Sequence, residues 1–478
     1  MGLKAQSLKV LERQLAARPK SPLPFFYAGL ASHRAGDFVK ALCYYQQAID
    51  IDPNMLVAHN NIGNIFEDLG RFAEAIEAFN KVLEIDPDHV QGHYNIGSAY
   101  RLIENNEAAI IHLSKAIRLN PSYSQAWNNL ALTCKNMGDY DRAVKYFDRA
   151  LQIDPDFSSA RWNRAQIYLL EKNWQPGWRD FEARFNLPHW RAFYPYRLKG
   201  QRWDGRFIRN QTLFVHDEQG LGDTFQFVRW LPWVREHCDR LVFETRTEII
   251  SLLDKSLGID EIVGRPDKGP TKMPFGQYIP LMSIPRLINL SPDRMPSWKP
   301  YIKASGKKIA QWKPRLPTGT LRVGLVWAGR PEHGNDANRS CRIEILSPLL
   351  RHEAIQFIGL QKGRFQIDEC LSQYPNFLNL GNLLDNFSDT AAILDQLDLL
   401  ISVDTSVAHL AGAMGKPVWV LIPFIPDWRW GTKGTCSLWY PTIRIFRQPR
   451  PKDWKSVVSD IDQELLCLMA KRRFLPLI

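Results

Sequence analysis

Pro53, Pro87, Pro121 and Pro155 stand 34 residues apart. A period of that length confines the chain to a stack of near-identical helical pairs, because each unit can bury its apolar face only against the next. Each proline closes an Ile/Leu-Asp/Asn-Pro segment (IDIDP, LEIDP, IRLNP, LQIDP). Twelve residues earlier stands Ala41, Ala75, Ala109 or Ala143, and eight earlier Tyr45, Phe79, Leu113 or Phe147. A small residue lets two helices cross closely, a bulky one packs beside it, and proline stops the second helix. Gly29, Gly63 and Gly97, then Ala131 and Ala165, repeat in the first helix of each pair. A half repeat, Ser7 to Ala17, precedes the series, and a degenerate one, Ser158 to Phe185 with Gly177 in place of the small alanine, ends it. Atypical ends serve as caps.

This is the pattern of the tetratricopeptide repeat, in four full registers, and it predicts an α-solenoid with a peptide-sized groove over residues 1–186. Asn61, Asn95, Asn129 and Asn163 share the same period at the sixth position of each first helix, which faces the concave surface in such repeats. A column of amides offers donors and acceptors at regular spacing and clamps the backbone of an extended peptide. It resembles the asparagine ladder of the O-linked N-acetylglucosamine transferase superhelix. Asn60, Asn64 and Asn128 add polar surface nearby. The other reading is that each asparagine bonds to a neighbouring repeat and fixes the pitch. The partner expected in the groove is a protein or peptide.

Charge separates the two halves. Residues 1–186 hold 21 Lys+Arg against 21 Asp+Glu, so the whole net charge of +11 falls in residues 187–478. A basic half suits an anionic ligand such as phosphate, and no nucleic-acid reading module is visible. Cys43, Cys134, Cys238, Cys341, Cys370, Cys436 and Cys467 are odd in number with no CxxC pair, which predicts reduced core thiols in a cytoplasmic protein. The N-terminus has no signal-peptide apolar core. The longest apolar stretch, Val418 to Pro426, is far below a membrane span.

Beyond a linker over residues 187–207, rich in Trp, Pro and Arg, the pattern becomes α/β. Thr212 to His216 reads as a strand, Glu218 to Thr224 as a polar turn, and the next residues as an amphipathic helix to about His237. Leu241 to Glu244 is the next strand, with a helix from about Glu248. A second unit opens at Arg322 to Gly329, with later strands at Ile355 to Leu360, Leu399 to Val403 and Val418 to Ile422. Strands alternating with helices predict parallel sheets covered on both faces. The expected fold class is therefore α plus α/β: the solenoid, then two Rossmann-like units over 208–305 and 306–478, the second ending in a helix. In such sheets ligands bind at the strand C-termini.

Three loops lie there: Gly220-Leu221-Gly222-Asp223, Asp404-Thr405-Ser406-Val407-Ala408-His409, and Pro426-Asp427-Trp428-Arg429-Trp430. The first lacks the third glycine of a dinucleotide fingerprint, and Asp223 there is either a base or a helix cap. The second opens a helix whose free N–H groups favour phosphate. The third, aromatic and cationic, suits a pocket wall or a packed loop.

Gly222-Asp223, with Leu231-Pro232 following, and Asp404-Thr405-Ser406-Val407-Ala408-His409 together resemble the signatures of the GT-B glycosyltransferases in the heptosyltransferase group, glycosyltransferase family 9. The family has glycine where Ser406 stands, and the first half, about 95 residues, is shorter than usual for it. The resemblance implies a metal-independent, inverting transfer from a nucleotide-diphosphate sugar, with no other cofactor. It assigns Asp223 as the base, and Gly222, Asp404, Thr405, Ser406 and His409 to the donor. Arg330 and Arg339 are candidates for the cation on the leaving diphosphate, and Gln361 for the nucleoside. The acceptor is then a protein, peptide or glycan recruited by the repeats. A second reading is a non-enzymatic scaffold whose α/β half is a relic or a nucleotide-sugar sensor. A third, an NAD-type enzyme, uses the Gly220/Gly222 loop and Glu244 at the end of the second strand.

Overall fold

The computed structural model describes residues 20–188, 198, 200–266, 271, 273–295, 298–318, 320–331, 334–363, 371 and 373–474, the last four as backbone only. The half repeat at Ser7 to Ala17, and Cys370, lie outside them. The chain forms two compact units, residues 1–164 and 165–478.

In the first unit α1 (Leu23–Arg34) pairs with α2 (Phe38–Ile51), α3 (Leu56–Asp68) with α4 (Phe72–Ile85), α5 (Val90–Leu102) with α6 (Asn106–Leu119), and α7 (Ser124–Asn136) with α8 (Tyr140–Ile153). In the first three pairs the small residue of the first helix meets the bulky residue of the second. A Cβ on Gly29 would fall 2.6 Å from the Tyr45 ring, one on Gly97 2.7 Å from Leu113, and one on Gly63 within the Phe79 ring. Ala41, Ala75, Ala109 and Ala143 are fully buried. Asp37, Asn105 and Asp139 cap α2, α6 and α8 by accepting from a backbone N–H three residues on.

One periodic device joins successive pairs. Six residues after each proline an N–H donor reaches back to the proline carbonyl: His59 Nε2 to Pro53 O at 2.9 Å, His93 Nε2 to Pro87 O at 2.9 Å, Trp127 Nε1 to Pro121 O at 3.0 Å, and the Arg161 guanidinium to Pro155 O. The proline carbonyl belongs to the turn between units, so the bond ties each second helix to the next first helix.

The unit boundary falls inside α9 (Ser158–Leu170), between Arg164 and Ala165, whereas the repeat pattern placed it near residue 186. The reason lies in α10 (Trp174–Phe181), which carries the spacing of a repeat helix but packs among the aromatics of the α/β unit. Trp174 stacks on Trp439 at 5.0 Å, and Trp178 lies edge-on to Trp428 at 5.3 Å. Arg184, fully buried, then pairs with Glu218 at 2.7 Å.

The second unit holds two sheets in which every strand pairing is parallel. In the first, β1 (Gln201–Arg202), β2 (Ile208–His216), β3 (Cys238–Thr245), β4 (Glu261–Gly264) and β5 (Gln277–Pro280) lie in the order β1-β5-β2-β3-β4. In the second, β6 (Leu321–Val326), β7 (Ile355–Gly359), β8 (Phe377–Asn379), β9 (Leu399–Val403), β10 (Val418–Ile422) and β11 (Ile443–Arg447) lie in the order β11-β10-β9-β6-β7-β8. The predicted helix after β2 is broken into α11 (Leu221–Phe227), a 3-10 turn, and α12 (Leu231–Arg235), because Pro232 can start a helix but not continue one. The helix expected from Glu248 is a 3-10 run, Thr247–Leu252. The remaining helices used below are α13 (Phe387–Leu394), α14 (Ser406–Ala413) and α15 (Trp454–Phe474), the last packing Trp454, Val457, Val458, Ile461 and Leu465 into the core of the second sheet.

Strand order locates the crevices. Succession runs outward from β2 through β3 to β4, then returns to β5 on the other side of β2; likewise from β6 through β7 to β8, then to β9 beside β6. Each reversal leaves a gap at the strand C-termini. Residues 217–223 follow β2, and residues 404–409 follow β9.

Candidate functional site

The two loops meet. A Cβ on Gly222 would fall 2.8 Å from His409 Cδ2 and 3.5 Å from Ser406 Cα, so the first turns of α11 and α14 touch only because residue 222 has no side chain. α11 follows the loop after β2, in which Gln219 takes a positive φ of 59°. Asp223 folds back on that loop, its Oδ2 accepting from Gly220 N at 2.7 Å, and its other oxygen pairs with Arg429. Asp223 is both the cap and one half of an ion pair.

On the α14 side Thr405 is the N-cap residue but its side chain does not cap; Oγ1 lies 3.2 Å from Ser402 Oγ instead. The first N–H groups of α14 therefore receive no bond from the Thr405 side chain, and a helix end left without its cap favours an anion. His409 is held from both edges, Nδ1 3.1 Å from Tyr440 Oη and Nε2 3.5 Å from Asp404 Oδ1, with its ring stacked on Trp430 at 5.4 Å. Burial pushes the Asp404 carboxyl up, but the hydrogen bond and charge of His409, with Trp430 and Arg429, outweigh it and hold the group below its ordinary value. Asp404 is an anion.

The cation at this junction is Arg429. Its guanidinium lies 4.2 Å over the Trp428 ring and bonds Asp427 Oδ1 at 2.7 Å, Gln226 Oε1 at 2.6 Å and Asp223. Burial would lower its pKa, but Asp427, Asp223 and Asp404 more than offset that and raise it. Gln226 is fully buried, and among the described residues its Nε2 has no hydrogen-bond partner. A second cation stands behind: Arg229 donates to Trp439 O at 2.7 Å and Tyr301 Oη at 2.8 Å.

Of the other residues assigned from sequence, Arg330, Arg339 and Gln361 follow strands of the second sheet, and Glu244 lies in β3 of the first. Arg330 is exposed. Arg339 bonds Asp336 Oδ1 at 3.2 Å and lies against Gly329. Gln361 is buried with Oε1 accepting from Trp327 N at 3.3 Å and Ala328 N at 3.0 Å, bracing the end of β6. Glu244 is 3% exposed with Arg265 3.9 Å away. Arg429, Gln226 and Tyr440 went unassigned; the one signal for them was the Asp-Trp-Arg-Trp run after β10.

In the solenoid, Asn95 donates to Asn60 Oδ1 at 2.7 Å, Asn129 to Ser98 Oγ at 2.7 Å, and Asn163 to Asn128 Oδ1 at 3.5 Å. Each of these bonds reaches the preceding repeat, and Gln91 donates to the free oxygen of Asn95 at 2.8 Å. Asn61 is half-buried in the first full register.

Residues 57–89 and 124–157, and residues 90–123, match tetratricopeptide repeat families. The amino-terminal region is thus a tetratricopeptide-repeat module, the class that binds protein or peptide partners. Protein FlbA of Caulobacter vibrioides is 24% identical over 323 residues, which cover 62% of this chain and 53% of that protein. The chain thus spans about half the length of this relative. Among solved structures, that of MamA is 28% identical, covering 35% of this chain and 97% of its own, with a TM-score of 0.31. That of YrrB, titled a TPR protein with an unusual peptide-binding site, is 19% identical over 37% of this chain and 92% of its own, with a TM-score of 0.31.

Proposed function

We propose that the chain is a metal-independent glycosyltransferase of the GT-B arrangement. It transfers a sugar from a nucleoside diphosphate, with inversion, to a protein, peptide or attached glycan held by the repeats. The observation that carries the reading is the contact of Gly222 with His409 and Ser406: it brings the loops at two crevices, one per sheet, to a single point. One loop supplies a carboxylate, Asp223; the other supplies an uncapped helix end, Asp404 and a doubly held His409.

In the reaction, an acceptor hydroxyl oxygen attacks the anomeric carbon and its proton passes to Asp223. The bond from that carbon to the diphosphate breaks, and its electron pair leaves with the phosphate. The N–H groups at the start of α14, Thr405, His409 and Arg429 receive that charge. The basic excess of residues 187–478 favours the same ligand.

The test needs no acceptor. Thermal melting of the full chain is measured against UDP, GDP, ADP, CDP and TDP and their sugars. A ligand at about a hundred times its Kd stabilises by roughly 2.7 kcal/mol. A rise with one base, lost in Asp404→Ala, is the expected outcome. No rise with any member overturns the donor site and leaves the repeats as the function.

A further inference from the structure

Arg429 holds more negative partners than one guanidinium can keep once a diphosphate arrives. It already bonds Asp223 and Asp427 and feels the charge of Asp404, and each of these carboxylates belongs to a different loop or helix. Asp223 is the residue assigned the proton in the reading above, yet the oxygen not committed to Gly220 N is occupied by Arg429. The guanidinium takes one of that oxygen's two lone pairs and stands where an acceptor hydroxyl would approach it.

Resting on that reading, we propose that Arg429 is exchanged between Asp223 and the donor diphosphate. With the donor absent it blocks Asp223; a bound diphosphate draws its outer N–H groups away and uncovers Asp223 for the acceptor. The surroundings fit a group that swings about a fixed plane. The guanidinium carbon sits over the Trp428 ring, a contact that uses none of its N–H donors and so does not fix their partners. Gln226 receives the inner Nε at 2.6 Å, and its own buried Nε2 has no partner among the described residues. A buried amide N–H left unpaired is destabilising, and an anion drawn toward Arg429 is an acceptor for it. The exchange makes the order of events donor first, acceptor second, and keeps the base silent while no donor is present.

Calorimetric titration of the full chain with UDP, GDP, ADP, CDP and TDP in turn, without sugar or acceptor, tests this. If Asp223 and the diphosphate compete for Arg429, removing the Asp223 charge tightens binding. Asp223→Asn, which retains an oxygen for Gly220 N, is expected to lower Kd roughly tenfold, about 1.4 kcal/mol. In an Arg429→Gln background the same substitution is expected to leave Kd unchanged. Should Arg429→Gln fail to fold, Arg429→Lys, which keeps the charge but lacks the fork that holds two partners, replaces it as the background. A diphosphate that binds wild type but binds Asp223→Asn equally or more weakly overturns the exchange and leaves the nucleotide site standing. If no diphosphate binds either protein, the nucleotide site itself fails and the exchange with it.

Discussion

Gly222 has no room for a side chain, and what surrounds it cannot move aside. The nearest atom belongs to a His409 ring held by Tyr440, Asp404 and the Trp430 face, and Ser406 Cα lies 3.5 Å away. Gly222→Ala is therefore expected to cost about 1–3 kcal/mol, the range for overpacking a filled site. It also pushes His409 off Asp404, so on the proposed donor site nucleoside diphosphate affinity is expected to fall along with the melting temperature; an unchanged melting temperature would remove the contact from the account. A second residue-scale effect lies in the solenoid. The Pro87 carbonyl can only accept, so His93 Nε2 carries a proton, and the 3.2 Å contact between His93 Nδ1 and His112 Nδ1 makes the latter the donor. Burial, and then the neighbouring His93, push His112 below its ordinary 6.5. The folded state thus binds protons less readily than the unfolded one, and stability drops as the pH falls below 6.5 until it has passed the depressed folded value. His112→Asn keeps a donor toward His93 without titrating, and is expected to flatten that acid limb in melting curves taken between pH 7.5 and 5.

At the scale of the helical pair, the period in the sequence carried most of the fold because four copies repeat the same demand. What it did not carry is which small residue meets which large one: the structure pairs Gly29 with Tyr45, Gly63 with Phe79 and Gly97 with Leu113. Gly63→Ala is expected to destabilise the first unit by about 1–3 kcal/mol through the same overpacking, despite the better helix propensity of alanine; the unfolding midpoint in urea measures it. The clamp on the proline carbonyls stayed hidden for a chemical reason. His59, His93, Trp127 and Arg161 share no size or charge, only an N–H at the right reach. The asparagine column was visible, but its bonds to the preceding repeat depend on backbone pitch, which no spacing encodes. The loop of Arg429 was visible as a pocket wall, but its pairing was not, because its partners Asp223 and Gln226 lie over two hundred positions away in sequence, brought near only by the two sheets.

At the scale of the whole chain, the repeat signal outlasts the repeat unit. The degenerate fifth pair keeps the spacing of its predecessors up to Phe185, yet α10 buries Trp174, Trp178 and Phe181 against Phe227, Trp428 and Trp439 of the α/β unit. The turn after it inserts Arg184, which neutralises Glu218 between β2 and Gln219 and also bonds Ser283 at 2.8 Å. Removing one partner of a fully buried ion pair leaves an uncompensated charge and costs about 3–5 kcal/mol. Arg184→Met is therefore expected to lower the stability of the second unit by that amount in urea unfolding followed by tryptophan fluorescence, while helical signal from the first unit melts where it did before. Fragments draw the same line more coarsely. Residues 172–478 retain α10 and Arg184 and are expected to unfold cooperatively, whereas residues 187–478 expose Trp428, Trp439 and Phe227 and bury Glu218 unpaired, and are expected to aggregate. A well-behaved 187–478 fragment with the melting temperature of the longer one would show that α10 contributes nothing to the α/β core, and would move the boundary back to where the repeat pattern alone had set it.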